Sequence, residues 1–189
     1  MEILGIVLLV ILLAGIGIVL WGIGVYNSLI KMRNNIDEAY STMDVYLKKR
    51  YDLIPNLVET VKGYTKHESQ TLEKVIAARN MAMNAGTTQE KMKGENELSK
   101  ELKTLLNVVV EQYPDLKANQ NFIDLQASLK QIEAEIANSR KYYNGTVKVY
   151  NVKREVFPSS IVANMKKFEK RELFEVDDKE ERKAVKVSF

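Results

Sequence analysis

The chain has 189 residues, 46% apolar and 28% charged, with a formal net charge of +3. That length suits one domain with a modest core, and the charge is too small to mark a nucleic-acid binder. The absence of cysteine excludes disulfides, thiolate metal sites and thiol nucleophiles, and a single histidine argues against histidine-based zinc sites and catalytic dyads.

Ile3 to Val25 are 23 consecutive uncharged residues, all hydrophobic except Gly5, Gly15, Gly17, Gly22 and Gly24. As a helix this run is about 35 Å long, against about 30 Å for a bilayer core. A cleaved signal peptide would carry a basic leader and a small-residue cleavage site. Met1-Glu2 holds no Lys or Arg and no A-x-A follows, so the run reads as an uncleaved anchor. Lys31, Arg33, Lys48, Lys49 and Arg50 follow it and none precedes it, which favours an outer N-terminus and a cytoplasmic body. Trp21 and Tyr26 suit an interfacial end. No two of the glycines stand four apart, so the run has no GxxxG, and a second copy of the chain stays a candidate partner only.

Beyond Tyr26 the pattern is helical. Leu29, Met32, Ile36, Ala39, Met43 and Tyr46 repeat as a bundle seam, with Tyr40 and Leu47 beside it. Pro55 interrupts that seam. Proline suits a first helical turn better than an interior, so a turn is expected near Arg50–Leu53 and a second helix over Ile54–Asn84. Its stripe is Leu57, Val58, Val61, Tyr64, Leu72, Val75, Ile76 and Met83. Thr87 with Glu90 forms a capping box for a third helix, striped by Met92, Leu98, Leu102, Leu105, Leu106 and Val109, that stops before Tyr113-Pro114. Asp115 then caps a fourth helix over about 115–157, with Phe122, Leu125, Leu129, Ile132, Ile136, Tyr143, Val147, Tyr150 and Phe157 on one face. Such stripes read as an internal core before they read as partner faces. From Ser159 the chain becomes irregular, ending in Ala184–Phe189, which alternates like a short strand.

The segment Arg50-Tyr51-Asp52-Leu53-Ile54-Pro55-Asn56-Leu57-Val58-Glu59-Thr60-Val61-Lys62-Gly63-Tyr64 resembles the signature of the LemA family. So do Lys66-His67-Glu68, Glu95-Asn96-Glu97-Leu98-Ser99, Tyr113-Pro114-Asp115-Leu116-Lys117-Ala118-Asn119, Tyr142-Tyr143-Asn144, Tyr150-Asn151 and Phe157-Pro158-Ser159. The matches run in family order to about residue 175. The resemblance implies a bacterial, membrane-anchored helical bundle with a small external N-terminus and no assigned molecular activity.

Catalytic signatures are sparse. His67-Glu68 opens like a zincin motif but lacks the second histidine, and no di-iron Glu-x-x-His pair, P-loop, GxGxxG or GxSxG occurs. No cofactor is expected. Asn144-Gly145-Thr146 fits a glycosylation acceptor but falls within a helix on the side read as cytoplasmic. Arg33, Asn56, Glu68, Arg79, Asn96, Arg140 and Asn151 lie in or beside apolar stripes and are candidates for a structural polar network, ahead of a ligand site.

Topology adds one candidate surface. In an up-down bundle the fourth helix returns toward the membrane, where Arg140, Lys141, Lys148, Lys153, Arg154, Lys166, Lys167, Lys170 and Arg171 concentrate. Of these, Lys148, Lys153, Arg154, Lys166, Lys167, Lys170 and Arg171 are candidates for contact with an anionic leaflet. One length disagrees: a fourth helix of roughly 64 Å exceeds a first soluble helix of roughly 37 Å, which calls for a bend near Gly145, a tilt of the bundle or a different first connection.

The reading is therefore all-α: an anchor over 1–25, an antiparallel up-down four-helix bundle over 26–158, and a short irregular tail over 159–189. The expected role is a non-enzymatic membrane-tethered scaffold or adaptor with a protein partner. A membrane-surface organising module and a ligand sensor with a polar inter-helix pocket are the alternatives.

Overall fold

The computed structural model describes residues 1–65 and 68–175. His67 and the terminal Ala184–Phe189 alternation lie outside the described residues. Among those described, all regular structure is helical: α1 (Glu2–Lys62), α2 (Ser69–Met83), α3 (Thr88–Gln112), α4 (Pro114–Lys117), α5 (Gln120–Glu155) and α6 (Ser159–Met165). The chain divides into two compact units. The first joins Met1–Ser41 to Lys141–Leu173, and the second joins Thr42–Arg140 to the residues from Phe174 onward.

In the first unit the apolar run is the exposed start of α1, the one described helix long and apolar enough to cross a membrane. A Cβ added at Gly5, Gly15, Gly17, Gly22 or Gly24 would meet nothing within 4 Å, so these glycines accommodate no neighbour within the chain. The core of this unit begins where the run ends. Val25, Leu29, Ile36 and Ala39 of α1 are buried, as are Tyr143, Val147 and Tyr150 of α5, Val162 and Ala163 of α6, and Phe168.

The turn expected at Arg50–Leu53 does not form. α1 runs unbroken through Pro55 to Lys62, and the chain turns after Gly63. Proline inside a helix removes the N–H that would serve the carbonyl four residues back, here Tyr51. Arg79 of α2 supplies that bond instead, its Nε donating to the Tyr51 carbonyl at 2.8 Å. Burial also holds the helix together: Leu47, Tyr51, Ile54, Leu57, Val58 and Val61 are all buried, in one helical period that crosses Pro55 without a phase break.

Moving the turn shortens α2 and rotates its stripe. Tyr64 lies in the turn and Met83 at the helix end, 45% and 47% exposed, while Leu72, Val75, Ala78 and Ala82 are buried. Small residues fit because α3 comes close. A Cβ on Gly94 would stand 2.6 Å from the Ala82 Cα. Glycine costs a helix about 1 kcal/mol relative to alanine, so its presence in α3 answers to this approach rather than to propensity. The Thr87–Glu90 capping box is present in full: Glu90 N–H donates to Thr87 Oγ1 at 3.1 Å, and Thr87 N–H to Glu90 Oε2 at 3.1 Å.

The helix expected over 115–157 is two. Asp115 belongs to the single turn of α4, and α5 starts after Asn119. Asn119 Oδ1 accepts the Phe122 N–H at 3.1 Å, in the manner of an N-cap, and its amide donates to the Tyr64 hydroxyl at 2.8 Å. α5 continues without interruption through Gly145. Its 36 residues span roughly 54 Å, and α1 beyond Val25 spans roughly 55 Å, so with the turn falling after Gly63 the two lengths no longer disagree. The tail from Ser159 is not wholly irregular: it opens with α6 after a cis Phe157-Pro158 bond.

Candidate functional site: a buried ion cluster, its groove and a captured tail

In the second unit, α1, α3 and α5 each turn one polar face inward. Arg50 is completely buried. Its Nη2 pairs with Glu95 Oε2, and its Nη1 donates to Ser99 Oγ at 2.8 Å and to Glu133 Oε1. The Tyr51 hydroxyl donates to the other Glu95 oxygen, so both Glu95 oxygens are occupied. The Glu95 side chain is fully buried, whereas that of Glu133 is 39% exposed and keeps contact with water. Beside the cluster, the Arg140 guanidinium stacks 5.1 Å from the centre of the Phe174 ring.

Burial pushes the Glu95 carboxyl above its ordinary value, against the attraction of Arg50. A carboxyl that binds its proton more tightly in the folded chain makes folding take up a proton. Its contribution therefore improves as pH falls through the raised value toward 4.5, and levels off below that. The expected result is a wild-type melting temperature that gains on that of Glu95→Gln as pH falls from 7 to 4.5. The difference between the two chains, melted in detergent, cancels the other carboxylates. A wild-type melting temperature that falls relative to that of Glu95→Gln on acidification would overturn the assignment.

Between α3 and α5 a groove of about 630 Å³ opens next to this cluster. Ser99 and Glu133, both bonded to Arg50, line it. Leu102, Leu106, Ile123 and Leu129 make its walls mainly apolar, and the exposed Lys103 and Lys130 also line it. The volume lies in the range of ligand sites, while the apolar walls between two helices suit a third helix or an amphipathic segment.

In the first unit, one face of α5 holds the chain that follows α6. Tyr143, Tyr150, Asn151 and Arg154 recur at helical spacing and reach backbone atoms of the tail. Tyr143 donates to the Glu172 carbonyl at 3.0 Å, Tyr150 to that of Glu169 at 2.9 Å, and Arg154 Nε to that of Phe168 at 2.7 Å. Asn151 grips both backbone groups of one residue: its amide donates to the Arg171 carbonyl at 2.8 Å and its Oδ1 accepts the Arg171 N–H at 3.0 Å. The tail after Phe168 has no helix or strand ladder to pair its peptide groups, and these side chains supply bonds to them. Burial raises the phenol pKa of both tyrosines above the ordinary 10.0, so they remain hydrogen-bond donors well above neutral pH. Asn151→Leu removes two bonds, worth about 1–3 kcal/mol together. Trypsin should then cut after Lys170 and Arg171 about tenfold faster or more, and an unchanged cleavage rate would show that Asn151 does not hold the tail.

A profile described as the LemA family matches residues 39–189, most of the chain. The chain belongs to the LemA family. Protein LemA of Metamycoplasma hominis is 27% identical, over 75% of this chain and 64% of that protein. Magnetosome proteins MamQ 2 and MamQ 1 of Paramagnetospirillum magneticum are each 23% identical, over 79% of this chain and 64% of theirs. The chain thus spans about 64% of the length of these relatives.

This LemA-family chain distributes its candidate polar residues among separate partners. Arg33 and Asn56 are exposed on α1. The Glu68 carboxylate accepts the Tyr113 hydroxyl at 3.2 Å, Arg79 serves Tyr51, and Arg140 stacks on Phe174. Asn96 donates to the Glu175 carbonyl at 3.4 Å, and Asn151 holds Arg171. Among the basic candidates, Lys170 pairs with Glu155 at 3.3 Å and Arg171 with Asp37 at 3.2 Å, while Arg154 holds the tail. Lys148, Lys166 and Lys167 are exposed and Lys153 is half-buried. Sequence reasoning missed Arg50, Glu95 and Glu133. Arg50 falls at the turn expected from Pro55, whereas α1 is helical there. Glu95 carries a visible signal, since it stands three and seven residues before Leu98 and Leu102, on the apolar stripe of α3.

Proposed function

We propose that this LemA-family chain is a single-pass protein of the bacterial cytoplasmic membrane. Its N-terminus lies outside, and its helices form an antiparallel up-down bundle in the cytoplasm. The molecule acts as a non-enzymatic scaffold or adaptor, and its α3–α5 groove receives a segment of a partner protein. The uncharged run Ile3–Val25, followed by Lys31 and Arg33, supports the anchor and its orientation. None of the relatives' names designates a reaction.

The groove carries the reading. Its apolar walls suit the apolar face of an amphipathic helix, and Lys103 and Lys130 suit acidic residues flanking that face. These features favour a protein segment over the small polar ligand of a sensor. A photo-crosslinking residue in place of Ile123, in the full chain in host membranes, tests this. The expected product is a discrete heterologous adduct that disappears in the Lys103→Glu/Lys130→Glu background. Adducts of the chain with itself alone would replace the adaptor by a self-assembling protein. A heterologous adduct indifferent to both charge reversals would overturn the charge complementarity.

A further inference from the structure

We propose that the turn into α6 and the end of α6 form an interfacial wedge that seats in the membrane beside the anchor, with two lysines on anionic headgroups. This rests on the reading that Ile3–Val25 spans the bilayer.

The first observation is position. Val25, the last residue of the apolar run, is buried within the unit that contains α6, and the Tyr26 ring stands 5.7 Å from that of Phe168. The tail just after α6 therefore lies where the anchor leaves the membrane.

The second is an unpartnered apolar ridge. Ile161 and Met165 stand four residues apart on one face of α6 and are 54% and 67% exposed, while Phe157, expected on the stripe of the preceding helix, stands in the turn before α6 and is 81% exposed. The opposite side of α6 is used internally, with Val162 and Ala163 buried. Large apolar side chains on one face, with lysines around them, match a helix lying in the headgroup boundary.

The third is the backbone at Lys167. The Lys167 N–H donates to the Asn164 carbonyl at 3.1 Å and the Phe168 N–H to the Ala163 carbonyl at 2.9 Å, which is a Schellman closure. That closure turns the chain so that Phe168 meets Tyr26. It places Lys167 at φ 53°, in the left-handed region that glycine occupies most easily. A lysine there sacrifices local stability and retains a charge beside exposed Lys166. Anionic lipid is the occupant whose charge complements both.

The test uses the full chain in vesicles with brominated acyl chains. Trp21 is the only tryptophan, and its quenching reads the anchor. A Trp21→Phe chain carrying Phe157→Trp, or separately Met165→Trp, reads the wedge. We expect quenching at both new positions, stronger with phosphatidylglycerol than with phosphatidylcholine alone. Lys166→Gln and Lys167→Gln are expected to weaken interfacial partition by about fivefold each. Lys167→Gly serves as the fold control, since it preserves the turn and removes only the charge. Quenched Trp21 with unquenched positions 157 and 165 would overturn the wedge while leaving the anchor intact. Unquenched Trp21 would overturn the anchor itself. Equal quenching in both lipids would overturn the role of the lysines.

Discussion

Arg50→Met is expected to lower the unfolding free energy by about 3–5 kcal/mol, because it leaves a buried carboxylate without its cation. The site explains the size. Arg50 and Glu95 are both fully shielded from water, so neither finds solvent when the other is removed. Glu133 is less affected, since its side chain is partly exposed. Glu95→Leu alone is expected to cost less, about 1–3 kcal/mol, because it leaves Arg50 Nη2 and the Tyr51 hydroxyl without an acceptor while Arg50 Nη1 keeps Glu133 and Ser99. The combined Arg50→Met/Tyr51→Phe/Glu95→Leu chain should regain most of the loss, because apolar groups of similar volume need no partners. Thermal unfolding of the full chain in detergent, followed by helical circular dichroism, measures all of these. Additive losses in the triple variant would show that the cluster is not one coupled unit.

Pro55→Ala is expected to stabilise the chain by up to about 3 kcal/mol, the ordinary cost of proline in a helix interior. Its interaction with Arg79 is the more informative quantity. In the natural chain Arg79→Leu should cost about 1–3 kcal/mol, because the carbonyl of buried Tyr51 then lacks a donor. In the Pro55→Ala background the backbone N–H at position 55 is available to Tyr51, and Arg79→Leu should cost less than about 1 kcal/mol. A double-mutant cycle with no coupling would mean that Arg79 does not compensate for the proline.

These two sites show why reading helix ends from residues succeeded in one place and failed in another. The capping box at Thr87–Glu90 is a local device: donor and acceptor are three residues apart, and the sequence contains both. The stop at Tyr113-Pro114 is local in the same sense. Pro55 looks equally decisive by local rules. Its effect was reversed by a guanidinium from another helix and by the unbroken burial of Ile54 and Leu57 around it. Once the turn moved past Gly63, the phase of α2 changed, so Met83 left the core and Ala82 entered it.

The candidate site divides along the same line. Asn151 is a polar residue on an apolar stripe and so needs a partner, but that partner is backbone of the tail, which no side-chain pattern reveals. Asn56 satisfied the same pattern and is exposed. Arg50 and Glu133 could not be recognised as partners, being 83 residues apart and joined only through helix packing.

By itself, then, the sequence determined what depends on neighbours along the chain. The uncharged run, the helical periods, the cap at Thr87, the near-complete absence of catalytic signatures and the resemblance to the LemA family are all of this kind. The tertiary structure alone decided which helix survives a proline, which ions are buried and where the tail is held. The reason is physical. Propensity and periodicity act over a few residues, whereas an orphaned carbonyl or a buried charge is stabilised by whatever donor folding brings to it.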